Sequence, residues 1–391
     1  MSRKKNITLF FENFTHEHLG KDPFFVPYII GKKLGYNVNI VYPLTDDYLD
    51  LPNSIRGVKL IPLEVNSSDP RNDKIFSRVM YRYIWNHAKE IDIMIRFFDY
   101  DISRIAALIY KLRNPRGIFY IKMDIDPYAI PNENTGSCIR KMLRFIKNNF
   151  LKHFVDILSC ETSFAFESLN NTPNSYYQCD DKLIYIPNGF EEESLMSYNI
   201  TEVDFSHKEN VMLTVARLGT YPKNTSMILK ALQIIDLKNW KFYLIGPIEE
   251  EFKQEVEKFY SENPDKIGKV IFTGPIYDKK ELWEFYNRSK VFVLTSKFES
   301  FGLVYTEAQR FKNYIVSTLV GAAKDVIEDS KYGEYIKQDD HIELAHKLSS
   351  IINNVTDIDV YSKFQTKSLS WESRLDVLVE RIKFIQMRKS Q

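Results

Sequence analysis

The residues best suited to chemistry lie in the second half of the 391-residue chain, each soon after a β-rich run. Arg217 directly follows the run Val211–Ala216, and Lys223 comes shortly after it. A guanidinium and an ammonium in fixed positions are the groups that a diphosphate needs. Two further runs end in Gly246-Pro247 and Thr273-Gly274-Pro275. Because open parallel sheets bind ligands outside the carboxyl ends of their strands, we expect a phosphate-bearing ligand at this edge.

A second candidate feature is the segment Glu299-Ser-Phe-Gly-Leu-Val-Tyr-Thr-Glu307, which leads into a predicted helix. Residues 300–303 would form the loop before that helix, so their N–H groups would lie unpaired at the positive end of the helix dipole. This environment suits a phosphate. Glu307, farther into the helix, could accept two vicinal hydroxyls of a ribose. The pattern predicts a clamp for a nucleoside diphosphate; the alternative is a helix cap with surface charges.

Such a clamp needs a parallel sheet, and the order of β-rich and helical stretches predicts two. The alternation is typical of βαβ units with helices on both faces, and it restarts after Ile186-Pro-Asn-Gly189. We therefore predict an α/β chain of two doubly wound domains in series. The predicted strands are Ile7–Phe11, Val38–Tyr42, Val58–Pro62, Ile91–Phe97, Gly117–Ile121, Ile157–Cys160, Leu183–Ile186, Val211–Ala216, Lys241–Ile245, Lys269–Phe272, Val291–Thr295 and Tyr314–Ser317.

Length and composition agree with two domains. The polar stretch Glu191–Lys208 has little periodicity and is predicted to be the linker, which gives domains 1–190 and 191–368. Within a last segment, 369–391, helical spacing of apolar residues predicts an amphipathic helix from Trp371 to Arg388.

The 53 Lys and Arg residues balance 52 Asp and Glu, which argues against nucleic acid as a partner. Three widely spaced cysteines argue against a disulfide framework or structural zinc.

Several motifs of the second half share a family pattern. They are Val215-Ala-Arg-Leu218 with Lys223, Leu244-Ile-Gly246, Phe272-Thr-Gly-Pro-Ile276, and the Glu299–Glu307 segment followed by Ile315-Val-Ser-Thr318 and Gly321. Together they resemble the retaining nucleotide-sugar glycosyltransferases of family four, which have the GT-B fold. The resemblance implies two Rossmann-like domains that face each other across a cleft, with a C-terminal helix that packs back on the first domain.

The resemblance also implies a role for each matching residue. Arg217 and Lys223 would hold the diphosphate of the donor. Glu307 would bind the ribose, and Glu299 would contact hydroxyls of the transferred sugar. Transfer would retain the anomeric configuration with no obligate metal and no resident cofactor, since the nucleoside-diphosphate sugar is itself a substrate. The other donor-binding residues, beside the phosphates, the sugar or the base, would be Gly246, Ile276, Tyr277, Ser300, Phe301, Gly302 and Leu303.

The first domain departs from the family pattern in two places. The loop after the first strand has only Gly20 where two adjacent glycines are common, and Met123 stands where a histidine is common. Asp124 is then the nearest group able to interact with an acceptor hydroxyl or with the sugar. We therefore treat Asp124 as a candidate catalytic residue.

Two other patterns of the first domain have metal-site alternatives. Asp124-Ile-Asp126 and Asp99-Tyr-Asp101 are DxD triplets, which hold a metal in another glycosyltransferase fold but also occur by chance. His16 and His18 are either free or capping histidines or two ligands of a site that lacks a third. The resemblance favours no metal at either place.

The segment 140–154 carries five Lys and Arg residues and no acid. It is either an interfacial helix attracted to anionic lipid or a core-packed helix with a basic solvent side. We expect a cytoplasmic enzyme, peripheral on the inner face of the plasma membrane in the first case. It would move a hexose-type sugar to a glycan, lipid-linked or protein acceptor, in cell-surface polysaccharide or glycoconjugate synthesis. The alternatives are a catalytically silent GT-B subunit that binds glycan or a partner transferase, and an epimerase or phosphorylase on the same fold.

Overall fold

The computed structural model describes residues 3–12, 14–44, 51–65, 73–124, 150, 152–171 and 182–390. These residues form two compact units. The first unit contains the described residues up to Asn188 together with those from Trp371 onward, and the second contains Gly189–Ser370. The chain therefore returns to its first unit after it completes the second. Asp126 and most of the basic segment 140–154 lie outside the described residues.

One sheet forms the centre of the first unit. Its strands are β1 (Asn6–Phe10), β2 (Asn37–Leu44), β3 (Ser54–Ile55), β4 (Val58–Glu64), β5 (Ile93–Phe97), β6 (Ile118–Met123), β7 (Ile157–Cys160) and β8 (Leu183–Tyr185). They lie in the order β3-β4-β2-β1-β5-β6-β7-β8. Neighbouring strands are parallel except β3 and β4, which form an antiparallel pair. This sheet is doubly wound, as the alternation of the sequence predicts.

Both faces of this sheet are covered by helices, because successive side chains of a strand point to opposite faces and both sets are apolar. One face packs against the helix Asp22–Leu34 and the C-terminal helices Trp371–Arg374 and Asp376–Ser390. Trp371 stacks on Phe25 there, with ring centroids 5.9 Å apart. The other face packs against the helices Asp73–His87, Asp101–Arg113 and Ser163–Asn171.

The second unit has a fully parallel sheet. Its strands are β9 (Glu209–Val215), β10 (Lys241–Ile245), β11 (Val270–Gly274), β12 (Ser289–Leu294), β13 (Tyr314–Thr318) and β14 (Gly333–Ile336). Their order is β11-β10-β9-β12-β13-β14, with parallel pairing throughout. This is the doubly wound order of dinucleotide-binding folds.

Helices again cover both faces of the second sheet. One core lies under the helices Thr225–Ile234, Glu250–Glu262 and His341–Ile352. The other lies under the helices Lys279–Arg288, Leu303–Arg310 and Ala323–Ile327. Within the described ranges, no helix has both the length and the apolar character needed to cross a membrane.

The segment Glu191–Lys208, which the sequence predicts to be a linker, is partly helical, with a short helix at Glu192–Ser197. Its polar residues are paired: Glu192 forms a two-contact ion pair with Arg310, with Nε–Oε1 at 2.5 Å. Lys208 is buried and donates to the carbonyl oxygens of Ser289 and Phe311, at 2.9 and 2.7 Å. Burial lowers the pKa of Lys208 to about 7. Leu195 of the short helix is also buried in the core of the second unit. Periodicity did not reveal this packing, because the helix is short and much of the contact is made by charged residues.

Candidate functional site

The carboxyl ends of β9 and β12 lie side by side, at the point where the strand order of the second sheet reverses. Open α/β sheets bind ligands at such a point, since the loops on the two sides diverge and leave a crevice. The loop after β9 contains Arg217 and Lys223, and the loop after β12 contains Glu299. The two loops are joined by a hydrogen bond from the Lys297 N–H to the Pro222 carbonyl, 2.7 Å. The structure therefore brings Lys223 and Glu299 together, with Arg217 in the same loop as Lys223.

Arg217 leaves the end of β9 with its side chain exposed. Among the described residues, no carboxylate forms an ion pair with it. The strand end beneath it is fixed by Gly246, whose φ is 138° and where an added Cβ would lie 1.9 Å from the Ala216 carbonyl oxygen. Only glycine fits this approach, so Gly246 acts through the backbone geometry that positions Arg217.

Lys223 forms an ion pair with Glu299, joining the loops after β9 and β12 through side chains. The same Glu299 carboxylate accepts a hydrogen bond from the Ser296 hydroxyl, Oγ to Oε1 2.7 Å. The Lys223 backbone is also anchored, because its carbonyl accepts from the Thr295 hydroxyl at 3.2 Å. Both charged side chains are mostly buried, so their positions are fixed. A diphosphate beside the ammonium and a sugar beside the carboxylate would meet groups already in place.

The helix Leu303–Arg310 begins at this edge, with Gly302 as its N-cap at φ 85°. The Tyr305 N–H donates to the Gly302 carbonyl at 2.9 Å, whereas the Leu303 and Val304 N–H groups lack intrahelical acceptors and lie at the positive end of the helix. The Phe301 ring is buried in the core, and the Phe301 carbonyl accepts from the Ala322 N–H at 2.9 Å. Gly321 allows that contact, because a Cβ there would lie 2.5 Å from the Phe301 oxygen. Ser300 and Leu303 are partly exposed on either side.

Glu307 lies within the same helix and accepts a hydrogen bond from the Trp283 indole N–H, Nε1 to Oε1 3.1 Å. Burial raises the pKa of the Glu307 carboxyl, although Trp283, Lys279 and Tyr286 act in the opposite direction. Sequence reasoning missed Trp283 and Lys279. Their one visible signal is position: the helix Lys279–Arg288 follows β11, so it shares the carboxyl edge of the sheet with Glu307.

Ile276 and Tyr277 lie between β11 and the helix Lys279–Arg288. Tyr277 is 89% exposed, whereas Ile276 is partly buried against the core beside that helix. Asp278 caps the helix by accepting from the Lys280 N–H, 2.8 Å. The backbone of this loop is thus held at the same edge as the cations, with the Tyr277 ring exposed to solvent.

Asp124 belongs to the first unit, where it directly follows β6. Its charge acts on a buried network in which Lys122 donates to Asp22 at 2.7 Å and to Glu161 at 2.5 Å. Burial opposes the charged form of Lys122, but the carboxylates of Asp22 and Glu161 outweigh it and raise the pKa of Lys122. Asn188 also donates to Glu161, 2.9 Å. Asp124 therefore has a polar, strongly charged setting, separate in sequence and unit from the clamp residues.

The DxD and histidine patterns of the first unit have ordinary partners. Asp99 forms a two-contact ion pair with Arg104, at 2.7 and 2.9 Å. His18 accepts the Thr15 N–H at its Nδ1, 3.0 Å, which caps a short helix. Burial lowers the pKa of His18 to about 4. Across the part of the chain that the structure describes, no group of three or more His, Cys, Asp or Glu side chains is placed to hold a metal ion.

Two doubly wound α/β units in series have the architecture of the GT-B fold. Solved structures agree on the fold. The glycosyltransferase from Rickettsia africae ESF-5 aligns with a TM-score of 0.68 at 15% identity, over 98% of this chain and 99% of that one. Anabaena Alr3699/HepE, solved in complex with UDP, aligns with a TM-score of 0.62 at 14% identity, over 99% and 98%.

Sequence comparison gives a family match over part of the chain. Residues 199–367 match the family model described as Glycosyl transferases group 1. A Campylobacter jejuni protein is 28% identical over 308 residues, 76% of each chain; it is the GalNAc-alpha-(1->4)-GalNAc-alpha-(1->3)-diNAcBac-PP-undecaprenol alpha-1,4-N-acetyl-D-galactosaminyltransferase. Residues 199–367 are therefore similar to the group 1 glycosyltransferases, and the chain has the GT-B fold.

Proposed function

We propose that this glycosyltransferase moves a hexose-type sugar from a nucleoside-diphosphate sugar to a glycan, lipid-linked or protein acceptor. The transfer retains the anomeric configuration and needs no metal, and it serves cell-surface polysaccharide or glycoconjugate synthesis. The observation that carries this proposal is the Lys223–Glu299 pair at the reversal of the second sheet, with Arg217 in the same loop as Lys223. The Campylobacter relative, whose name describes a sugar transferred to a diphosphate-linked lipid glycan, supports the acceptor class.

The chemistry follows from the charge that develops when the donor breaks. Cleavage of the anomeric C–O bond leaves negative charge on the departing nucleoside diphosphate. That negative charge would be stabilised by Arg217, by Lys223 and by the N–H groups at the start of the helix Leu303–Arg310. Groups already in position stabilise the transition state more than the ground state, since the charge is larger there. These cations would do the work that a metal ion does in other transferases.

The carboxylates of the clamp would orient the rest of the donor. Glu307 would accept the ribose hydroxyls, and Glu299 would accept hydroxyls of the transferred sugar while it holds Lys223. Ile276 and Tyr277 would lie at the base, and Ser300, Phe301, Gly302 and Leu303 at the phosphates and the sugar. On the first unit, Asp124 would accept a hydrogen bond from an acceptor hydroxyl or from the sugar.

A thermal-shift panel of UDP-, GDP-, ADP- and dTDP-sugars tests donor binding. We expect one nucleotide class to raise the Tm of the wild-type protein, and Glu307→Ala to lose most of that rise. The matched control is Glu284→Ala, an exposed acid on the neighbouring helix, which should respond as the wild type does. No rise with any of the four classes would remove the donor assignment.

Stereochemistry and metal use are tested on the donor that binds. We expect the enzyme to form product in the presence of EDTA. We also expect the anomeric NMR coupling of the product to match the configuration of the donor. Inversion of that coupling contradicts retention, and loss of turnover in EDTA that Mg²⁺ restores contradicts metal-independent transfer.

A further inference from the structure

A surface pocket of about 270 Å³ lies in the first unit, beside the helix Asp376–Ser390. Its polar lining includes Lys182, just before β8, and Arg381, Arg388 and Lys389 on the helix. The pocket thus lies at the amino ends of β7 and β8, whereas Asp124 follows the carboxyl end of β6 in the same sheet. It is therefore distinct from the edge at which this fold binds its reactants.

Among the described residues that line the pocket, Asp156 is the one acid, and it does not balance the positive charge of Arg381, Arg388 and Lys389. Asp156 accepts from Lys389 at 2.8 Å, from Lys111, and from the Phe119 N–H at 2.7 Å, so both of its oxygens are occupied. Burial, together with the nearby charge of Lys389, lowers the pKa of Lys111 to about 8 against the opposing effect of Asp156. Within the described residues, neither Arg381 nor Arg388 has an ion-pair partner. An anion in the pocket would meet these two guanidiniums.

Apolar side chains border this cationic pocket on the solvent side. Phe384 is 47% exposed and Met387 is 61% exposed, and the Arg388 guanidinium lies over the Phe384 ring at 5.7 Å. From Arg381 to its end the helix has four cations and no acid. The opposite side of the helix is already buried in the core. Exposed aromatic and aliphatic groups next to unbalanced cations match a membrane surface, which offers phosphates above an apolar layer.

We propose that this pocket binds the phosphate headgroup of an anionic membrane lipid, with Phe384 and Met387 entering the adjoining apolar layer. The exposed apolar side chains favour a lipid over a free phosphate, since a soluble anion would leave them in water. The proposal goes beyond the proposed function, because it needs neither a donor nor an acceptor. Each cation near an anionic surface contributes roughly 5-fold to binding, so loss of two should weaken it roughly 30-fold.

Vesicle sedimentation of the full chain tests this surface. The probes are vesicles of phosphatidylcholine with and without phosphatidylglycerol, at low salt. The variant is Arg381→Gln/Arg388→Gln, and the matched control is Lys253→Gln/Lys258→Gln, which removes two exposed charges from a helix of the second unit. Equal Tm values for all three proteins show that folding is unaffected. Thermal shift with glycerol phosphate is a separate arm for the soluble anion.

We expect wild type and control to bind only the anionic vesicles, and the arginine variant to bind roughly 30-fold more weakly. Equal binding by the variant and the wild type overturns the proposal, because another surface then carries the attraction. Absence of vesicle binding by the wild type overturns it too. A Tm rise with glycerol phosphate, without vesicle binding, assigns the pocket to a soluble anion and rejects the lipid. None of these outcomes depends on whether the thermal-shift panel of nucleotide sugars shows donor binding.

Discussion

At the scale of single residues, the ion pair between Lys223 and Glu299 fixes the positions of both side chains. Lys223 and Glu299 neutralise each other, and the Ser296 hydroxyl donates to the same carboxylate oxygen that Lys223 contacts. Arg217 differs because its guanidinium is exposed. We therefore expect Arg217 to attract the diphosphate and Lys223 to stabilise the leaving group in a fixed position, since a preorganised charge needs no rearrangement when the bond breaks.

The substitutions Arg217→Ala and Lys223→Ala should each lower kcat by about 100- to 1,000-fold, the usual effect of removing one preorganised group that stabilises transition-state charge. The measurement is steady-state transfer at saturating donor. Lys253→Ala, which breaks an exposed i,i+3 pair with Glu250, is the matched control and should stay near the wild-type rate. Near-normal turnover in either clamp variant would remove that residue from the mechanism.

The Glu307 carboxylate should lower the stability of the free protein at neutral pH, although it would contribute to ribose binding. Because burial raises its pKa in the folded chain, its contribution to the free energy of unfolding falls as pH rises from the ordinary value of 4.5 through the raised folded pKa. At neutral pH the carboxylate is therefore a net cost. Glu307→Gln, which keeps an acceptor oxygen for Trp283, should raise the Tm of the free protein at neutral pH.

The same Glu307→Gln variant should lose its Tm advantage at a pH below 4.5, where the wild-type carboxyl is protonated. It should also respond less to the donor at neutral pH, since an amide is a weaker acceptor for ribose hydroxyls than a carboxylate. Differential scanning fluorimetry at both pH values measures both effects. A Tm below that of the wild type at neutral pH contradicts this account of Glu307.

At the scale of elements, period and turn residues predict most strands, because buried parallel strands are continuous apolar runs. The bounds of β7 and β10 match the prediction at both ends. The short strand β3 and the edge strand β14 were missed, since neither contains a long apolar run. The position of the clamp was predictable as well, because the carboxyl ends of parallel strands share one edge.

The pairing inside the clamp was not predictable from the sequence. Nothing in the spacing indicates that Lys223 meets Glu299, or that Trp283 donates to Glu307, because each contact joins separate loops or helices. The short helix within Glu191–Lys208 was also missed, since the ion pair of Glu192 with Arg310 and the burial of Leu195 both involve residues distant in sequence. Local patterns therefore locate elements, whereas side-chain contacts depend on tertiary packing.

The junction of β9 and β10 depends on one glycine. Gly246→Ala should lower the free energy of unfolding by about 3 kcal/mol, because the residue is held at φ 138° and a Cβ would meet the Ala216 carbonyl. Gly268→Ala is the control: its φ is also positive, but nothing lies within 4 Å of an added Cβ. It should cost only about 1–2 kcal/mol. Equal losses in urea unfolding would show that conformation alone, without the contact, sets the requirement.

At the scale of the whole molecule, the chain has separate cores for its two units. The residues after Ser370 belong to the core of the first unit, with Trp371, Leu375 and Leu378 all buried in it. The nucleotide site predicted here lies entirely on residues of the second unit. Stability and ligand response can therefore be assigned to different parts of the chain.

Trp371→Ala should destabilise the first unit by about 3–5 kcal/mol, because it leaves a cavity beside Phe25 in that core. Val377→Ala, on the exposed side of the same C-terminal segment, should change the free energy of unfolding by less than about 0.5 kcal/mol. In scanning calorimetry we expect Trp371→Ala to lower the transition of the first unit, while the nucleotide that gives the largest thermal shift still raises the transition of the second. If the variant loses its response to the nucleotide while its second transition persists, the donor site requires the first unit as well.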